Sequence, residues 1–173
     1  MENTKKLKIT AVISGVLTAA ICAVMNFIFI PAIEKGAATR CFDMTFGYSF
    51  TDALRFLSTI SAEGKAIYLS RQLPLDFIYP IAYCVFFCVL IYLLMESKSL
   101  LFIFPVMLAI FDYIENVCVV IMLKAEVPSI VFVSFASSAT MMKSMLMYVC
   151  FLLIAVLIIL RIVANTKKKR KAE

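Results

Sequence analysis

Four ionisable side chains lie inside long apolar runs of this sequence: Asp76, Asp112, Glu115 and Lys143. A charge at the centre of a membrane helix costs about 2.5–3.5 kcal/mol on insertion scales, so such groups face the bundle interior and find partners. Asn26, Tyr79, Tyr83, Tyr113 and Asn116 accompany them. Asp112, Glu115 and Asn116 are spaced i, i+3 and i+4, which puts them on one helix face. Asp76, Tyr79, Pro80 and Tyr83 share a face in the same way. Three carboxylates cannot all stay ionised in a low-dielectric site beside one ammonium. Either an acid is protonated, or a loop cation such as Arg71 reaches in, or a metal ion binds.

Three chemistries fit this set. In the first it is interhelical glue: Lys143 pairs with Asp76 or Asp112, and each hydrogen bond adds about 0.6 kcal/mol. In the second it is an outward-facing polar pocket that binds or moves a small amphiphile, a lipid or a cation, lined by Asn26, Arg71, Asp76, Tyr79, Tyr83, Asp112, Glu115, Asn116 and Lys143. An oxygen-only set of Asp76, Asp112, Glu115 and Asn116 suits a hard cation rather than zinc. In the third, Asp76 shares a proton with Asp112 or Glu115 and activates water toward a lipid or peptide, as aspartic dyads do. The chain has no histidine, which removes His-ligated zinc and Ser-His-Asp chemistry. No motif specifies a cofactor or a dedicated metal site. Five of the six cysteines, all but Cys41, fall in apolar runs and read as packing residues. The ten methionines, Met141, Met142, Met145 and Met147 among them, read as gap fillers.

The elements that must position these groups follow from composition. Of 173 residues, 64% are hydrophobic and 16% charged, and the mean hydropathy is +1.00. Soluble domains have about 45–50% apolar and about 25% charged residues, so the solvent of this chain is lipid. The pattern predicts a single all-α domain, a four-transmembrane-helix bundle with spans at about 9–33, 73–95, 100–123 and 138–163. The first run is roughly 25 residues, long enough to cross about 30 Å of hydrocarbon and too long for a signal-peptide core. Segment 34–72 reads as an extracytoplasmic helical loop. Ser49 or Thr51 caps a helix beginning near Asp52, Gly64 stops it, and Lys65–Arg71 starts a second amphipathic turn on the membrane surface. Pro74 opens the second span. Glu96–Ser99 is a tight connection to an antiparallel neighbour. The segment from Ser129 to Ala164 is too long for one span, so Ser129–Ser137 is expected to be a lead-in helix or a re-entrant piece.

Charge sets the orientation. Ten cations (Lys5, Lys6, Lys8, Lys98, Arg161 and the tail 167–171) fall on one side, and six (Lys35, Arg40, Arg55, Lys65, Arg71 and Lys124) on the other. The excess places both termini in the cytoplasm, with the basic tail 164–173 there too. The net charge of +6 therefore serves topology and anionic lipid, and no nucleic-acid surface is read from it. By helical rise, Asp76 sits about 7 Å, Glu115 about 13 Å and Asp112 about 18 Å below the outer edge, and Lys143 lies in the same half. A bundle of this size is expected to associate as a homodimer.

Three stretches carry a resemblance. Asp43-Met44-Thr45-Phe46-Gly47-Tyr48-Ser49, the D-x-x-Y-P step at Asp76–Pro80 and the D-x-x-E-N step at Asp112–Asn116 resemble a group of small four-span bacterial membrane proteins. The resemblance covers most of the chain. It implies a four-span fold in a bacterial cytoplasmic membrane and says little of activity.

Overall fold

The computed structural model describes residues 2–95 and 100–170. The tight connection expected at Glu96–Ser99 and the end of the basic tail lie outside the described residues. Among the described residues, five helices account for the architecture. Helix α1 runs through Glu2–Val24, a wide π turn at Met25–Phe29 and Ile30–Glu34. Helix α2 is Phe50–Thr59. Helix α3 combines Ala62–Ile67, a second π turn at Tyr68–Gln72 and Leu73–Met95. Helix α4 is Ile103–Lys124 and α5 is Ile130–Arg170. Among the described residues there is no strand. The four long helices α1, α3, α4 and α5 are each long and apolar enough to cross a membrane. Helix α1 packs on α3, α3 packs on α4 and α5, and α4 packs on α5. The outer surface is apolar, with Val12, Phe27, Tyr148, Leu152 and Ile162 all exposed. Water would not tolerate that surface; hydrocarbon does.

Local chemistry explains where the helices begin and bend. Ser49 is the N-cap of α2: its Oγ accepts from Asp52 N at 3.1 Å, and Asp52 Oδ2 accepts from Ser49 N at 3.1 Å. This reciprocal box starts the helix at Phe50, so Thr51 lies inside it. Gly64 does not stop a helix. Ser61 caps a new one through Gly64 N, at 2.9 Å, and Gly64 is its third residue. A Cβ there would lie 2.8 Å from the Ile33 carbonyl oxygen, so glycine lets α3 approach the end of α1. The expected surface turn at 65–71 and the second span are therefore one helix. Pro74 cannot donate to an i−4 carbonyl, and its ring would strike that carbonyl in a regular turn. The wide π turn before it removes the conflict, and the turn at Met25–Phe29 does the same before Pro31.

Of the two readings of 129–137, a lead-in helix or a re-entrant piece, the helical one holds: α5 is one helix from Ile130 onward. Forty-one residues reach about 60 Å, twice the hydrocarbon thickness. Two serines of this stretch satisfy themselves on their own helix. Ser134 Oγ donates to Ile130 O at 2.9 Å and Ser138 Oγ to Ser134 O at 2.8 Å, a back-bonding that removes their competition with the helix.

Two apolar layers hold the bundle. At the end carrying the 35–61 loop, Phe42, Phe56, Tyr68, Met122, Leu123 and Val133 are buried together. Toward the opposite end, Tyr83, Phe87, Ile91, Leu108, Cys150 and Ile154 form the second layer. Polar residues of α3, α4 and α5 lie between these layers.

Candidate functional site: a roofed acid–lysine layer

Lys143 of α5 is the centre of one half of this layer. Its Nζ lies 2.9 Å from Asp112 Oδ1 and also bonds Glu115 Oε2. Asp112 Oδ2 accepts from the Tyr83 hydroxyl at 2.9 Å, and Glu115 Oε1 accepts from Thr140 Oγ1 at 2.5 Å. Three helices are thereby tied by one chain of hydrogen bonds. The i+3 spacing on both α4 and α5 makes this work: Asp112 and Glu115 meet Lys143 and Thr140 as two facing pairs. Lys143 pairs with Asp112, as one sequence alternative has it, and its second partner is Glu115 rather than Asp76.

The other half is built around Asp76. Pro80 has no N–H, so the Asp76 carbonyl lacks its helical donor. Asn116 Nδ2 supplies one at 2.9 Å. The Tyr113 hydroxyl similarly donates to Phe77 O at 3.0 Å. The D-x-x-Y-P and D-x-x-E-N steps are thus two sides of one contact: a proline frees a carbonyl on α3 and an asparagine on α4 takes it.

A fourth acid comes from the loop. Asp43 lies in the short 3-10 turn Phe42–Met44, and its Oδ2 accepts from Gln72 Nε2 at 3.4 Å. Burial pushes the Asp43 carboxyl up to about 6; the Lys143 ammonium and the nearby Tyr68 hydroxyl oppose that rise, and the Glu115 and Asp112 carboxylates add to it. The turn is held over the helices from both sides. Glu34 at the end of α1 accepts from Cys41 N at 2.8 Å and pairs with Arg40 at 2.9 Å. Tyr48 N donates to Ser137 Oγ on α5 at 2.9 Å, and a Cβ on Gly47 would lie 2.8 Å from Met141 Cγ. Phe42 meets Phe56 edge-on at 5.0 Å. The loop therefore roofs the layer. Cys41, the one cysteine outside the apolar runs, is buried in this roof, and its burial raises the thiol well above the usual range.

The acids and amides of the layer on α3 and α4 are closed off. Gln72, Asp76, Asp112, Glu115 and Asn116 are each at most 1% exposed, so an open outward-facing pocket is not what the side chains form. Yet several enclosed polar atoms have no hydrogen-bond partner: Asp43 Oδ1, Tyr68 Oη, Gln72 Oε1, Asp76 Oδ2 and Asn116 Oδ1. Tyr68, Gln72 and Asp76 follow one another at four-residue spacing on α3. Gln72 reaches Asp43, and Asn116 reaches Asp76, so all five belong to one neighbourhood.

Other expected residues stand apart. Arg71 is exposed, so it does not supply the missing positive charge. Asn26 turns back on its own helix, donating to Cys22 O at 2.9 Å. Tyr79 is half-buried, edge-on to Tyr83 at 5.0 Å, and packs toward Ile21 and Met25 of α1. Asp43, Tyr68, Gln72 and Thr140 had no assigned role from sequence. Gln72 and Thr140 carry a usable signal, four residues before Asp76 and three before Lys143. Asp43 carries none, because its depth comes from how the loop folds back.

Fold and site together define an all-α membrane-type bundle with a roofed acid–lysine layer. No family model matches the chain, and no curated protein or solved structure is detectably similar to it.

Proposed function

We propose that this protein binds and releases a small cation, in the first place a proton, at the Asp43–Asp76 half of the layer. One observation carries the reading: Asp43 and Asp76 are enclosed with an unpartnered carboxylate oxygen each, while Lys143 is taken by Asp112 and Glu115. Enclosed oxygens without donors cost about 1–3 kcal/mol each. Two enclosed carboxylates in one neighbourhood, without a cation of their own, favour taking up a proton, or an ion in its place. The amide oxygens of Gln72 and Asn116 and the Tyr68 hydroxyl are hard donors suited to such an ion.

The Lys143 half supports the packing reading, because its network joins α3, α4 and α5. The acid-dyad reading loses support, since Asp112 and Glu115, the two partners considered for Asp76, are both committed to Lys143. The cation excess near the termini supports a cytoplasmic location for both ends, with the roof on the far side of a bacterial cytoplasmic membrane. The roof then lies where an external cation arrives.

Infrared titration of detergent-purified protein tests the proposal. A protonated carboxyl band should persist well above about pH 4, where free aspartate ionises, and should shrink in Asp76→Asn and in Asp43→Asn. Sodium or potassium at the higher pH should raise the thermal midpoint of wild type and not of Asp76→Asn. Absence of both a titrating carboxyl band and any cation response would reject the reading.

A further inference from the structure

A second site lies outside the polar layer, at the same end of the bundle. A groove of about 790 Å³ opens between α2, the start of α3 and the connection from α4 to α5. Its floor is apolar, formed by Leu54, Leu57, Ile60 and Leu123. Its rim carries Arg55, Lys65 and Lys124 against one acid, Glu126. These cations come from three different elements. Lys124 is the last residue of α4 and Lys65 lies in the first turns of α3, so both stand where membrane-crossing helices end. Among the described residues neither lysine forms a salt bridge, and the acidic neighbour of Arg55 is Asp52 on its own helix. Val127, beside the rim, is 72% exposed, an apolar side chain that water would not favour.

Cations around an apolar floor, at the level where hydrocarbon gives way to water, complement a molecule with an anionic head and fatty chains. We infer that this groove binds one anionic phospholipid, its phosphate held by Arg55, Lys65 and Lys124 and the upper part of an acyl chain lying on Leu54, Leu57 and Leu123. Helix α2 is amphipathic for this purpose as well as for packing. Ala53 and Phe56 are buried in the roof, whereas Leu54 and Leu57 line the groove, Leu57 also packing on the buried cluster. A lipid seated here would touch α2, α3 and α4 at once and so brace the roof.

Native mass spectrometry of the full chain, loaded from mixed micelles with phosphatidylglycerol or phosphatidylcholine, reads this directly. Wild type should retain one phosphatidylglycerol in preference to phosphatidylcholine. Replacing Arg55, Lys65 and Lys124 together by glutamine should weaken that retention by about 100-fold, at the usual contribution of a basic residue near anionic lipid. The same replacement at Lys5, Lys6 and Lys8 should leave it unchanged. Glu126→Gln, which removes the one opposing charge without touching the cations, should tighten it. Equal loss in both triple variants, equal retention of the two lipids, or displacement by inorganic phosphate alone would each overturn the inference.

Discussion

Replacing Asp43 by asparagine isolates the loop acid, because the amide keeps the shape and removes the titration. Although the residue as a whole is half-buried, its Oδ1 has no access to solvent or donor. The carboxyl stands at 3.8 in the unfolded chain and about 6 in the fold. The folded state thus binds the proton more tightly, and stability linked to Asp43 is fully present below about pH 4. It is lost as pH rises through about 6, since above that the fold must hold an enclosed carboxylate that the unfolded chain keeps in water. A rise from 3.8 to about 6 corresponds to about 3 kcal/mol. The asparagine variant lacks this loss. Its stability relative to wild type should climb from about pH 4 to about pH 6 and then level off, by up to about 3 kcal/mol. Unfolding by sodium dodecyl sulfate in mild-detergent micelles, followed by far-ultraviolet circular dichroism over that range, measures the difference. Parallel curves for the two proteins would show that Asp43 does not titrate inside the fold, and the roof would have to be redrawn with its acid in water.

Two further substitutions probe the layer beneath. Lys143→Met strands Asp112 and Glu115 without their cation and should cost about 3–5 kcal/mol by the same unfolding assay; adding Glu115→Gln to it should recover part of the loss. Asn116→Leu should cost about 1–3 kcal/mol by leaving the Asp76 carbonyl unpartnered. In a Pro80→Ala background, where the backbone regains its N–H, the same change should cost measurably less, and a double-mutant cycle gives the coupling.

The architecture was legible because apolar length and charge placement are enough to specify it. Four runs, each bounded by lysines, arginines or prolines, correspond to α1, α3, α4 and α5. The errors came from reading single residues as punctuation. Gly64 read as a stop and turned out to be a close approach to Ile33. Pro74 read as a start and sits one turn beyond a π turn that tolerates it. Ser134, Ser137 and Ser138 lie where the lead-in and the last span were divided, and α5 runs straight through them. Two of them bond their own helix, and Ser137 takes the loop. At Gly64 and Ser137 the deciding partner is remote in sequence, which a one-dimensional pattern does not contain.

The polar set was legible by its cost, and its division was not. Asp76, Asp112, Glu115 and Lys143 had to be together because hydrocarbon penalises each of them alone. Which acids Lys143 takes depends on facing pairs across α4 and α5, and that is a matter of helix rotation. Once Asp112 and Glu115 claim it, Asp76 has no cation, and the loop brings it a second acid instead of a base. If packing were the whole purpose, an arginine or lysine at position 43 would have closed the charge. Placing an aspartate there raises the energy of the empty, deprotonated layer and leaves the enclosed oxygens waiting for something positive. That choice of sign is the feature that packing alone does not explain. It is also why the roof residue, rather than any residue within the spans, is the one whose substitution best tests the proposed cation uptake.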